Sequence, residues 1–150
     1  MLFRSGDQIT PIEKLPNMWI LLINPNFPVS TKWVYEEFDK ISGLELTQEN
    51  QHVSSLPLPA SGLVAGRHFK GLDDLAEVVH NDLELVTAKK FPEIEQIKKL
   101  LAESGAIKSW MSGSGPTVIG MFDSEKVCSD AVKKVGSLHS GWRIIETKNF

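Results

Sequence analysis

The run Ser112-Gly113-Ser114-Gly115-Pro116-Thr117 places two glycines and two serines in four consecutive positions. Glycine has no side chain in the way, so such a loop lets another backbone approach closely. It can also turn its N–H groups toward an anion. The same composition serves as ordinary turn punctuation, and the loop alone leaves both readings open. Thr31 and Tyr35 form a second candidate pair: four apart on a helix, they share one face and set a hydroxyl beside an aromatic ring. A capping-turn threonine and an amphipathic tyrosine at the core edge would show the same spacing. Asn81-Asp82-Leu83-Glu84 offers two carboxylates, a pattern compatible with acid–base or magnesium chemistry. Helix capping by Asn81 or Asp82, with Glu84 solvated, is the plainer reading and the one we take.

The remaining reactive side chains give little. His52, His68, His80 and His139 are scattered, and none forms an H-x-x-x-H pair. No Ser–His–Asp arrangement follows from order alone. Lys89-Lys90 and Lys133-Lys134 read as solvated helix charges. The single cysteine, Cys128, excludes an internal disulfide and a cysteine-rich zinc site. Its place in an apolar helical stripe makes it a small buried hydrophobe. No residue is therefore assigned a catalytic or metal-binding role.

The elements that must position these groups follow from periodicity. Trp19-Ile20-Leu21-Leu22-Ile23, ended by Asn24-Pro25, predicts a short strand buried on both faces. Ser30 is placed to cap a helix over Thr31–Ile41, with Val34, Phe38 and Ile41 as its buried stripe. From Ser42 to Lys70 the pattern fades, and Pro57, Pro59, Gly62 and Gly66 suggest a loop with a short helix or two. Leu72, Leu75, Ala76 and Val79 form a helical stripe, which Asn81-Asp82 interrupts or follows with a new helix to about Lys90. Pro92 suits the start of the next helix. Ile94, Ile97 and Leu101 give its apolar face, and Gly105 its stop. Ile107–Met111 and Thr117–Phe122 read as strands. Their connection is too short for a crossover, so they must run antiparallel. A helix from Ser124 carries Val127, Cys128, Ala131, Val132 and Val135, with Gly136 as its expected stop, and Trp142–Thr147 closes the series as a strand. The predicted fold is α+β and ferredoxin-like, β-α-β-β-α-β. It has one four-stranded antiparallel sheet with helices on one face and extra helices in the first crossover.

A chain of 150 residues is about one domain. Its net charge of −3 argues against non-specific nucleic-acid binding, which leans on clustered Lys and Arg. The start lacks a basic region followed by a long apolar run, and no apolar run approaches the length of a membrane span. A cytoplasmic protein without a membrane partner is the expectation.

The stretch around the Gly/Ser loop, Gly105 to Phe122, resembles the third sequence motif of the GHMP small-molecule kinases. Four blocks carry the resemblance. They are Gly6-Asp7 through Pro11-Ile12, Asn24-Pro25 through Pro28-Val29-Ser30-Thr31 with Val34-Tyr35, Asn81-Asp82-Leu83-Glu84, and Ser112 through Thr117. Their order and spacing are similar to the C-terminal half of the branch that phosphorylates a diphosphocytidyl derivative of methylerythritol, in the non-mevalonate route to isoprenoids. The resemblance implies that residues 1–150 are the C-terminal domain. The N-terminal ATP-binding domain, with its phosphate loop, lysine and catalytic aspartate, is expected to be absent. ATP and magnesium are then cofactors of the complete enzyme. Neither is expected to bind tightly to this chain alone, which should have no kinase activity by itself.

Thr31 and Tyr35 become substrate residues by the same resemblance, the ring stacking on the cytosine and the hydroxyl lying near the methylerythritol. A stacked base contributes roughly 1–3 kcal/mol. Ser112, Gly113, Ser114, Gly115 and Thr117 would support the phosphate loop of the other half. The implied partners are a cytidine diphosphate derivative and the N-terminal kinase domain, with no nucleic acid and no membrane. An exposed sheet edge leaves a homo-oligomer open. Two alternatives also stay open: the C-terminal domain of another GHMP kinase, and a free-standing, non-catalytic binding or regulatory module.

Overall fold

The computed structural model describes residues 15–48 and 69–149. The Gly6–Ile12 block, His52, His68 and most of the expected 42–70 loop lie outside them. The elements are β1 (Trp19–Asn24), α1 (Thr31–Gln48), α2 (Leu72–Val78), α3 (Glu84–Lys90), α4 (Glu93–Ala102), β2 (Lys108–Met111), β3 (Val118–Phe122), α5 (Glu125–Leu138) and β4 (Arg143–Lys148). The sheet order is β2-β3-β1-β4, with every neighbouring pair antiparallel. Each helical crossover skips one strand, so β1 and β2 run parallel with β3 between them, as a ferredoxin-like fold requires.

Strand alternation divides the sheet into two faces. Leu21 and Ile23 of β1, Val118 and Phe122 of β3, and Met111 of β2 point to one side. There they meet Ile94, Ile97 and Leu101 of α4 and Cys128, Ala131 and Val135 of α5 in one buried cluster. Each large side chain fully buried in this way contributes roughly 1.5–3 kcal/mol. Ile20, Met121 and Trp110 point to the other side, where a smaller cluster gathers Met18, Phe69, Leu72 and Leu75 over them. One helix of the first crossover, α2, thus lies on the face opposite α4 and α5. This changes the expectation for β1. Leu21 and Ile23 are fully buried, while Ile20 and Leu22 are only half-buried, because the second cluster covers only part of that face.

Local sequence explains the helix ends. Ser30 accepts the Trp33 N–H at 3.3 Å, as an N-cap should. At the end of α4, Gly105 has φ 89°. Its N–H donates to the Ala102 carbonyl and the Ala106 N–H to the Leu101 carbonyl, both at 3.0 Å, which is the Schellman arrangement. Three expectations shift. α1 runs on to Gln48 rather than ending at Ile41, since Ser42 and Gly43 weaken a helix without breaking it. Ile41 is 39% exposed, and Val34 alone of the expected stripe is fully buried. α5 continues past Gly136 to Leu138; a glycine stops a helix only where the backbone turns left-handed, and Gly136 does not.

Gly120 of β3 faces α4 at close range. A Cβ there would sit 2.8 Å from Leu101 Cδ2 and 3.2 Å from Phe122 Cε2. Gly120→Val should therefore lower the unfolding free energy by about 1–3 kcal/mol, read from urea denaturation, with the slope of the transition unchanged.

Candidate functional site

The N-terminus of α1, the turn between β2 and β3, and the start of α3 meet at one end of the sheet. The cap by Ser30 fixes Thr31 as the first residue of α1, and its Oγ1 lies 2.8 Å from Ser114 Oγ. Tyr35, one turn further along α1, is 52% exposed. Its ring is on the surface and not at the core edge. At the end of β1, Asn24 Nδ2 donates to Thr117 Oγ1 at 2.9 Å, and Asn24 Oδ1 accepts the Asn26 N–H at 2.8 Å. The expected substrate residues Thr31 and Tyr35 and the expected loop residues Ser112–Thr117 thus belong to one locus, joined directly at Thr31 and Ser114.

Aromatic contacts of Phe91 hold the start of α1 and the segment before it there. Phe91 stacks on Phe27 at 4.8 Å between ring centres and meets Trp33 edge-on at 6.2 Å. Lys90 Nζ lies 3.9 Å above the Trp33 ring. Lys90 is therefore a cation–π partner rather than a simple solvated charge, a contact that contributes about 0.5–1 kcal/mol at an exposed site.

The loop turns back on itself. The Ser112 N–H donates to the Thr117 carbonyl at 2.8 Å and the Gly115 N–H to the Ser112 carbonyl at 3.0 Å. Gly113 and Gly115 have φ 56° and 88°, and the Gly115–Pro116 peptide is cis. A Cβ on Gly115 would lie 2.6 Å from Met111 Sδ and 3.3 Å from Thr87 Cγ2. This glycine serves close approach, one of the two functions its composition suggested.

Three side chains from the α3 region reach the loop. Asn81 Nδ2 donates to the carbonyls of Met111 and Gly113, each at 2.7 Å, while its Oδ1 accepts the Leu83 N–H at 3.2 Å. Glu84 Oε2 accepts the Met111 N–H at 2.7 Å, and its Oε1 pairs with Lys98 Nζ. Thr87 is fully buried, with Oγ1 donating toward the carbonyls of Leu83 at 3.2 Å and Ser114 at 3.4 Å. Glu84 is the clearest correction. Its side chain is 14% exposed and doubly bonded, not solvated, because the start of α3 brings the carboxylate to the end of β2 and to Lys98 of the neighbouring α4. The expected capping by Asn81 is also corrected: the cap position of α3 is Leu83, which has no side-chain cap, while Asn81 Oδ1 closes a turn ahead of the helix and its amide nitrogen has two partners that sequence did not reveal. The one available signal was spacing: Asn81, Glu84 and Thr87 recur every three residues, which aligns them along one side of a helix.

The electrostatics are modest. Partial burial works to lower the Lys98 pKa, yet hydrogen bonds and charge from Glu84 and Glu95 outweigh it and hold the ammonium above its ordinary value. Burial, then the negative charge of Glu146, pushes the Cys128 thiol up to about 12, so it is an inert core group. Among the described residues, no three or more His, Cys, Asp or Glu side chains are grouped to hold a metal ion. Beside the loop, a hollow of about 300 Å³ opens on the second sheet face, lined by Leu22, Asn24, Thr117, Arg143 and Ile145.

Comparison with known proteins identifies the family. The family described as GHMP kinases, C terminal, matches residues 62–138. The chain belongs to the GHMP kinase family. It is similar to 4-diphosphocytidyl-2-C-methyl-D-erythritol kinase of Geobacter metallireducens, with 38% identity over 95% of this chain and 45% of that protein. The kinase of the same name from Syntrophus aciditrophicus is 40% identical over 87% of this chain and 42% of its own length. The chain thus spans just under half the length of these relatives. Among solved structures, a 4-(cytidine 5'-diphospho)-2C-methyl-D-erythritol kinase superposes with a TM-score of 0.61 at 21% identity, covering 95% of this chain and 46% of that one. The mevalonate kinase of L. major gives 0.60 at 14% identity over 93% and 44%. At these identities the structural likeness establishes the shared fold. As a GHMP kinase C-terminal domain, the chain brings two of its four motif blocks, Asn81–Glu84 and Ser112–Thr117, into direct hydrogen-bond contact, with Thr31 of a third touching the loop.

Replacing Glu84 tests this arrangement. Glu84→Gln keeps the shape but removes the charge from the Lys98 pair and should lower stability by about 1–3 kcal/mol in chemical denaturation. The Lys98 pKa is raised on folding, so its contribution is complete below the ordinary value of 10.5 and is lost as pH rises through the folded value. The wild-type chain should therefore lose stability above that pH, and a Lys98→Met chain should lose less.

Proposed function

We propose that this chain is the substrate-facing domain of an ATP-dependent kinase that phosphorylates 4-diphosphocytidyl-2-C-methyl-D-erythritol in isoprenoid biosynthesis. The observation that carries the proposal is the 2.8 Å contact between Thr31 Oγ1 and Ser114 Oγ. It joins the helix end bearing an exposed Tyr35 to the Gly/Ser loop, so a substrate lying along α1 ends beside the loop. The names of the similar curated kinases support the choice of substrate.

In this reading Tyr35 stacks on the cytosine and Thr31 borders the methylerythritol portion. Ser112, Gly113, Ser114, Gly115 and Thr117 back the phosphate-binding loop contributed by an N-terminal kinase domain. The residues fit that division. The loop offers backbone amides and hydroxyls, which suit contact with phosphates or with another backbone, whereas magnesium needs oxygen ligands such as carboxylates. ATP and magnesium would serve the complete enzyme. Phosphoryl transfer depends on positioning and charge neutralisation, and this chain supplies positioning of the acceptor. A cytoplasmic location goes with such a substrate; among the described residues no helix is long and apolar enough to cross a membrane.

Calorimetric titration with cytidine diphosphate tests the reading. The wild-type chain should bind, and Tyr35→Ala should weaken binding by roughly 1–3 kcal/mol, the contribution of one stacked base, with no change in melting temperature. Equal affinity in the two chains would remove the cytosine from Tyr35. The chain alone should turn over no ATP with the diphosphocytidyl substrate, and measurable turnover would show that the phosphoryl-transfer machinery is already within it.

A further inference from the structure

We infer that Asn81 is a positioning residue for the Gly/Ser loop, and that Thr87 assists it. Their role goes beyond the turn that leads into α3, which needs only Asn81 Oδ1 on the Leu83 N–H. Both protons of the carboxamide nitrogen go elsewhere, to the carbonyls of Met111 and Gly113 at 2.7 Å. These carbonyls belong to the last residue of β2 and the second residue of the loop. One planar amide therefore spans the point where the chain leaves the sheet, and fixes the distance and orientation between the two peptide planes. Thr87 Oγ1 reaches the next carbonyl, that of Ser114, at 3.4 Å, and its methyl group limits the space at Gly115.

The consequence lies on the opposite side of the loop. Carbonyls drawn toward α3 leave the Ser114 hydroxyl turned toward Thr31, where the two oxygens are 2.8 Å apart. A shift at Asn81 is thus transmitted through the loop to the helix carrying Thr31 and Tyr35. The hydrogen bonds of Asn81 go to Met111, Gly113 and Leu83 and to neither of those residues, so its effect on ligand binding acts through the loop. This last step rests on the kinase reading proposed above; the bracing of the loop does not.

Asn81→Ser separates bracing of the loop from closure of the turn before α3. A serine hydroxyl can still accept the Leu83 N–H, but it is too short to reach both carbonyls. Amide hydrogen exchange by NMR on the wild-type and variant chains reads the result. In Asn81→Ser, exchange at Gly115, whose N–H is bonded within the loop, should quicken by about tenfold relative to β1 and β3 amides, the loss of one hydrogen bond's worth of local protection. Thr87→Val, which keeps the volume and removes the hydroxyl, should quicken it by a smaller factor. Cytidine diphosphate should bind Asn81→Ser several-fold more weakly than the wild type, at a temperature where both chains are fully folded.

Unchanged loop exchange in both variants would overturn the inference. So would loop and sheet amides quickening together, which would assign Asn81 to global stability. Equal nucleotide affinity in the wild-type and variant chains would confine Asn81 to local structure and overturn the positioning role. If the wild-type chain binds no cytidine diphosphate, the kinase reading fails by itself, and loop exchange alone decides whether Asn81 braces the loop.

Discussion

An edge strand must dispose of backbone groups that have no neighbouring strand, and this need organises the molecule's functional end. β2 lies at the edge of the sheet. The N–H and the carbonyl of its last residue, Met111, both find side-chain partners on the α3 side, Glu84 and Asn81. A bare edge would be a site for pairing with another chain, and a buried orphan would cost about 1–3 kcal/mol. The two side chains that remove that cost also fix where the next residues go. The turn from β2 to β3 and the approach of Ser114 to Thr31 follow from the same contacts.

Charge and packing act together at this junction. Glu84 is acceptable in a half-buried place because it receives a backbone N–H and faces Lys98, and Lys98 in turn is shared with Glu95. Taking one partner away leaves a charge with reduced solvent access, which is why such pairs matter more when broken than when formed. Gly115 and Thr87 complete the fit sterically, since the loop passes too close to Met111 Sδ and the threonine methyl for any side chain at that position. The larger cluster between α4, α5 and the sheet supplies most of the buried apolar surface. It provides the fixed platform on which a polar loop can hold one shape.

The fold was largely legible from the sequence, for reasons that particular residues make plain. The stripe Ile94, Ile97, Leu101, bounded by Pro92 and Gly105, has one helical solution. The short Ser112–Pro116 connection allowed only an antiparallel pair. Errors fell where propensity is weak or where a neighbour decides. α1 outran its expected end because Ser42 and Gly43 lower helical preference without forbidding it. Gly136 did not stop α5 because a glycine permits a left-handed turn without requiring one. Lys90 read as a solvated charge because nothing local announces the Trp33 ring beneath it.

The amino-acid sequence by itself determined the elements, their order, and the groups that could do chemistry, since periodicity, caps and motif spacing are properties of neighbours along the chain. Only the tertiary structure decided which of these groups meet. Thr31 and Ser114 are separated by 83 positions, and Asn81 and Gly113 by 32. Whether such pairs touch depends on strand order and helix packing, which bring distant segments together through burial rather than through any local preference. Glu84 changed from an expected surface charge to an internal anchor for that reason alone: its identity is written in the chain, but its partners are chosen by the fold.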